Sequence, residues 1–212
     1  MDRQPAATAE PNAVVGSAPV TAPPGATGGW ALFLGLAAVT ALVDLATKRM
    51  LFDRLGMPGE NPPIPLIPGI FSFETNLNEG ALFGMGQGMG MAFAAISCVA
   101  IAGILAMVSR RDTRADGWLL AALGLITGGI IGNLWDRLGI PGLRWHFPPE
   151  RVGQPVLAVR DWIHFQLDGV IDWPIFNLAD TWLVIGAGLL LLASWRAGPP
   201  RADSAAPRTP RA

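Results

Sequence analysis

Charged side chains are missing from four long stretches of this chain. One runs back from Val43 through Trp30 into the N-terminal tail. The others are Gly80–Ser109, Gly117–Trp135 and Thr181–Trp195. A helix needs ~20 residues to cross the ~30 Å hydrocarbon core of a bilayer. Met89–Val108 and Gly117–Trp135 meet that length without help. Trp30–Val43 and Thr181–Trp195 do not. To span, the first must continue through Asp44, Thr47 and Lys48, and the last must begin before Asp180. An acidic group is thereby forced to the membrane edge in both, where charge is costly and points to function. The pattern predicts four spans at about 30–50, 88–109, 117–136 and 176–196.

One short connection, Ser109–Asp116, and two long ones, Met50–Gln87 and Asp136–Ala179, join the spans. The short one makes its flanking helices antiparallel neighbours. It holds Arg110, Arg111 and Arg114, and Arg196, Arg201, Arg208 and Arg211 follow the last span. The positive-inside rule then puts both termini in the cytoplasm and both long loops outside. In the first long loop Ile70–Thr75 alternates apolar and polar positions, which predicts a short strand. Pro62, Pro63, Pro65 and Pro68 keep the stretch before it out of a helix. Ile140–Gln154, with three prolines and two glycines, reads as a surface loop.

Composition narrows the picture. Hydrophobic residues make up 51% and charged residues 15%, well below the ~25% charge of soluble domains. The net charge of -1 offers no basic surface for nucleic acid. Residues 1–29 and 197–212 are rich in Pro, Ala, Gly, Thr or Arg and read as disordered tails around one membrane domain, 30–196. The N-terminal tail lacks the charged-then-apolar order of a cleaved signal peptide. Cys98, the single cysteine, sits within an apolar run and reads as a core residue; it forms no intramolecular disulfide. Trp30, Trp118, Trp173, Trp182 and Trp195 fall at span ends, as an interfacial belt would.

Five polar clusters remain: Asp44-x-x-Thr47-Lys48, Asn78–Phe83, Gly128–Arg137, Val159–Ile163 and Phe176–Thr181. Alternation of the spans puts all five on one face of the membrane, whichever way the chain is oriented. No His-Glu-x-x-His occurs, which removes that class of zinc site. No Gly-x-Ser-x-Gly occurs, and neither His146 nor His164 lies in a span to activate a serine. Cys98 has no charged neighbour to lower its pKa. Carboxylates supported by amides and cations are left. Two aspartates a few ångströms apart share a proton, one acting as base on water and the other as acid toward a carbonyl. Such chemistry needs no metal and no cofactor.

The five clusters, in this order, resemble those of the lipoprotein signal peptidase (signal peptidase II) family of bacterial membrane aspartyl proteases. Asp44-Leu45-Ala46-Thr47-Lys48 is similar to the family's D-x-x-[ST]-K. Asn78-Glu79-Gly80-Ala81-Leu82-Phe83 is similar to N-x-G-A-A-F, with Leu82 where a small residue is usual. Gly129–Arg137 matches G-x-x-G-N-x-x-D-R. Val159–Ile163 is similar to V-x-D-F-I, with Trp162 in place of Phe, and Phe176–Thr181 matches F-N-x-A-D-[ST]. The resemblance covers about residues 30–195 and implies an all-α membrane protein: a four-transmembrane-helix bundle with a small extracytoplasmic β element and a surface loop over the site. It implies Asp161 and Asp180 as the catalytic pair. Asp44, Lys48, Asn78, Gly80, Asn133, Arg137 and Asn177 would bind substrate or support the pair, and Asp136 would be structural. It further implies a monomer in the bacterial cytoplasmic membrane, surrounded by lipid, that cuts diacylglyceryl-modified prolipoproteins. Leu138–Ala158 is longer than the family's usual step between these motifs, so Asp168 and Asp172 compete with Asp161.

Other readings of the same residues stand beside this one. Asn177 and Asp180 have the spacing of a capping box. Asp44 and Lys48, at i and i+4, have the spacing of a helix-surface ion pair. Gly128, Gly129 and Gly132 suit close helix packing. A transporter with Asp44, Asp136 and Asp180 on its ion path would carry its charges near mid-span; here they lie at span ends. A non-enzymatic assembly factor would tolerate loss of both Asp161 and Asp180.

Overall fold

The computed structural model describes residues 26–80, 86, 88–167 and 169–196. The tails 1–25 and 197–212, positions 81–83 of the second cluster, and Asp168 lie outside the described residues. Four helices are long and apolar enough to cross a membrane: α1 (Ala26–Leu55), α2 (Gly90–Val108), α4 (Gly117–Arg137) and α5 (Leu178–Arg196). A five-residue helix, α3 (Arg111–Ala115), fills the short connection. Helix α1 begins at Ala26, inside the stretch read as a tail. Asp116 caps α4, its side chain accepting from the backbone N–H groups of Trp118 and Leu119 at 2.9 and 3.0 Å.

Helix α4 is the hub, packed against α1, α2 and α5. Its glycines allow the approach. A methyl group at Gly128 would overlap Thr40 Oγ1, one at Gly129 would lie 2.6 Å from the Ala179 carbonyl, and one at Gly132 would collide with Asp44. Three helix backbones meet where the polar clusters fall. Farther along the bundle, Phe33, Ile104, Val108, Leu120 and Leu123 close an apolar core.

Apolar residues also face outward. Val39, Ile96, Val99, Val184 and Leu191 are all more than half exposed, as expected of side chains that meet lipid rather than water. Cys98 belongs with them: it is exposed on α2 and is not a core residue. Lipid and protein core reward the same apolar side chain, so hydropathy alone does not tell which face is inside.

The β element is larger than the alternation at Ile70–Thr75 suggests. Four antiparallel strands, β1 (Ile64–Ile67), β2 (Phe71–Asn78), β3 (Val159–Leu167) and β4 (Ile171–Asp172), pair in chain order. The long loops thus share one sheet. Register places Asn78 opposite Val159 and Asn76 opposite Asp161, which joins the second polar cluster to the fourth. The sheet rests on the end of α1, where Trp162 and Ile163 pack with Leu51 and Leu55. Trp162 meets the Phe73 ring edge-to-face, with centroids 5.2 Å apart. The Pro-rich segment is mostly exposed but is anchored by Leu143 and Trp145 against buried Met57, Val156 and Ala158.

Candidate active site

Each polar cluster is delivered by a different element. Asp44 and Lys48 lie on α1, Asn133, Asp136 and Arg137 end α4, and Asn78 ends β2. Asp161 is the third residue of β3, and Asn177 and Asp180 open α5. The turn into α5 is clipped to β3: Phe176 N–H donates to the Ile163 carbonyl at 3.0 Å, and the Phe176 carbonyl accepts from Ile163 N–H at 2.8 Å. That clip brings Asn177 beside Asp161.

The helix start is a reciprocal cap. Asp180 N–H donates to Asn177 Oδ1 at 3.0 Å, and Asn177 N–H donates to Asp180 Oδ2 at 3.2 Å. Capping fixes the Asp180 side chain and leaves Oδ1 for Asn133, whose Nδ2 donates to it at 2.8 Å. Asn177 Nδ2 donates to Asp161 Oδ1 at 2.6 Å and to Asn133 Oδ1 at 3.2 Å. Two amides therefore connect two carboxylates. Asp161 Oδ2 is buried with no hydrogen-bond partner among the described residues.

Behind the amides lies a charged cluster. Lys48 Nζ donates to Asn133 Oδ1 at 2.9 Å and stands 2.8 Å from Asp44 and 3.2 Å from Asp136. Asp44 accepts from the Ala179 N–H at 2.9 Å, which ties α1 to the start of α5. Asp136 receives both the side chain and the backbone N–H of Arg160. Asp44 and Lys48 are fully buried. Their i, i+4 spacing does not make a surface pair here.

A pocket of about 370 Å³ opens beside this assembly, lined by Asn78, Gly80, Asn133, Arg137 and Asp180, with Trp173–Phe176 as a wall. Asp180 reaches the pocket, whereas Asp161 is fully enclosed behind it. Arg137 Nη2 donates to the Gly80 carbonyl at 3.1 Å, bringing two predicted supporting residues together across the mouth. Glu79 is gripped by both terminal nitrogens of Arg151, whose guanidinium lies 3.9 Å from the Trp145 ring centroid. The Pro-rich segment thus braces the rim of the pocket.

Burial, and then the charge of Asp180, push the Asp161 carboxyl up to about 8, against the opposing hydrogen bond from Asn177 and the Lys48 charge. Asp172, one competitor for Asp161's role, is 81% exposed and bonded to His164; it does not line the pocket. Sequence reasoning overlooked Arg160 and the wall Trp173–Phe176. Arg160 adjoins Asp161 in the quoted cluster, but its partner Asp136 lies 24 residues away. The wall carries no polar motif.

Comparison with known proteins identifies relatives over most of the chain. Residues 36–196 match the model of a family described as signal peptidase (SPase) II. The chain is 44% identical over 186 residues to a lipoprotein signal peptidase of Rhodopirellula baltica, covering 85% of this chain and 81% of that one. It is 34% identical to the enzyme of the same name from Symbiobacterium thermophilum, covering 76% and 92%. A solved bacterial membrane enzyme shares the fold with a TM-score of 0.64 at 21% identity, over 82% of this chain and 93% of the other.

Proposed function

This chain belongs to the signal peptidase II family, membrane enzymes that remove signal peptides from prolipoproteins, and from that premise we propose that it cuts by an aspartyl mechanism run by Asp161 and Asp180. The observation that carries the proposal is the amide bridge Asp161–Asn177–Asn133–Asp180. It holds two carboxylates in one charge-coupled unit with no cation hydrogen-bonded to either among the described residues.

Asp180, half-buried in the pocket wall, takes a proton from the attacking water. Asp161 gives a proton to the scissile carbonyl oxygen as the tetrahedral intermediate forms; on collapse the proton that Asp180 took from water passes to the leaving amine nitrogen, and Asp161 recovers its own from the intermediate's hydroxyl. Asn78, Gly80 and Arg137 line the place where a helical signal segment must unwind, and they offer partners to backbone groups freed inside an apolar setting. Lys48 and Asp44 fix the amides from behind.

The substrate in this reading is a diacylglyceryl-modified prolipoprotein, cut at the extracytoplasmic face of the cytoplasmic membrane by a monomer whose termini are both cytoplasmic. The test is a gel-shift assay on lipidated and unlipidated prolipoprotein. Wild type should cleave only the lipidated form. Asp161→Asn and Asp180→Asn should each lose at least ~10²–10⁴-fold in rate, the usual weight of general acid–base catalysis. The wild-type rate should fall on an alkaline limb near pH 8, where the pair loses its shared proton. Near-normal turnover by either variant would refute the assignment.

A further inference from the structure

A second groove, of about 680 Å³, shares no lining residue with the pocket beside Asp180. It follows α1 and changes character along its length. Leu42, Leu45 and Trp135 line one end, while Arg49 and Asp53 stand farther along, before Gly56, Met57 and Glu60. From Leu42 to Asp53 the helix rises roughly 16 Å at 1.5 Å per residue. That is about half of a ~30 Å hydrocarbon core, the depth of one leaflet. Ile140 and Pro141 of the Pro-rich segment form part of the opposite wall.

The charges lining the groove are balanced and unequally committed. Arg160 is held by Asp136. Glu60 accepts from the Met57 N–H and is paired with His146. Arg49 and Asp53 are joined by one 3.5 Å contact and are 81% and 71% exposed. A pair that open contributes little in water, so both groups are available to a ligand. An arginine fork suits a phosphate, and an aspartate one turn away suits a primary ammonium. A glycerol headgroup could offer Asp53 only a neutral hydroxyl without a counter-charge, and a choline has no N–H to donate to it.

We propose that this groove holds one phospholipid with a phosphoethanolamine headgroup, its phosphate on Arg49, its ammonium on Asp53 and an acyl chain along Leu42, Leu45 and Trp135. The site is separate from the proteolytic centre, and its test does not read proteolysis. The full chain, purified in detergent, is offered equal amounts of phosphatidylethanolamine, phosphatidylglycerol and phosphatidylcholine, and retained lipid is counted by native mass spectrometry. One phosphatidylethanolamine should be retained about tenfold over the other two, a ~1.4 kcal/mol preference. Arg49→Ala and Asp53→Asn should each abolish that preference, whereas Val99→Ala on exposed α2 should keep it. An unfolding midpoint measured without lipid verifies that each variant is folded, as the exposure of both side chains predicts. Equal retention of the three lipids, or a preference untouched by either variant, would mean boundary lipid only and overturn the proposal.

Discussion

Two pairs of aspartates lie within one hydrogen-bond network and differ in what faces them. Asp44 and Asp136 meet Lys48 and Arg160, a cation for each anion. Asp161 and Asp180 meet the amides of Asn177 and Asn133. A buried carboxylate salt-bridged to a cation at 2.8 Å spends its oxygens on joining one element to another, which suits a frame. A buried carboxylate oriented by an amide keeps its geometry without having its charge fixed, so it can exchange a proton. Residue type is the same in both pairs. The counter-group separates frame from chemistry.

Removing the cation that serves the first pair is the severest way to break this contrast. Lys48→Met leaves Asp44 and Asp136 buried, the first without its ion-pair partner and the second with Arg160 alone. Unpairing a buried charge costs ~3–5 kcal/mol, so unfolding in detergent should begin at markedly lower temperature or denaturant. Asn133 would also lose one of the two donors at its Oδ1, keeping only Asn177 Nδ2, and cleavage should fall with it. A variant as stable as wild type would show that the charged cluster is not the frame of the site.

Crowding the same junction is a milder disturbance. A methyl at Gly132 would collide with Asp44 and come within 3.3 Å of Ala179 Cβ. Gly132→Ala should therefore cost ~1–3 kcal/mol, the usual penalty for overpacking, with α1 and α5 moved apart. Gly103→Ala, which meets nothing within 4 Å, should be neutral. If the two glycines respond alike, close approach of the three helices is not what Gly132 provides.

Much of this site was legible in the sequence because the bilayer imposes a length. Asp44 and Asp180 stand out since their spans are too short without them. The five clusters converge because helices alternate direction. What stayed hidden is what short sequence patterns leave ambiguous. An i, i+4 Asp–Lys pair has the same spacing on an exposed face as on the buried face where Asp44 and Lys48 lie. Strand β3 is buried at every position from Val159 to Ile163 and alternates only afterwards. It therefore shows no period of two around Asp161, and its pairing with β2 went unread. Asp180 drew two readings, cap and catalytic group, and its two oxygens accommodate both.

A third histidine-centred set of carboxylates sharpens the contrast at the smallest scale. His164 Nδ1 lies 2.9 Å from Glu74 and Nε2 lies 2.8 Å from Asp172, so a doubly protonated ring links β2, β3 and β4. Asp172 directly precedes the pocket wall Trp173–Phe176. Desolvation lowers the His164 pKa, but the bonds to Asp172 and Glu74 outweigh it, and the net shift is upward from 6.5. A raised folded-state pKa means the stabilisation is complete below 6.5 and fades as pH rises through the folded value. The link should therefore loosen as pH rises above 6.5 through the folded value, in the same direction as the limb expected from Asp161. His164→Gln separates the two. Its glutamine can reach only one carboxylate, so KM for the lipidated substrate should rise a few-fold and lose its pH dependence. The limb in kcat near pH 8, which belongs to the aspartate pair, should stay. A limb in kcat that disappears with His164 would mean the histidine, and not the amide-bridged aspartates, sets the alkaline loss of activity.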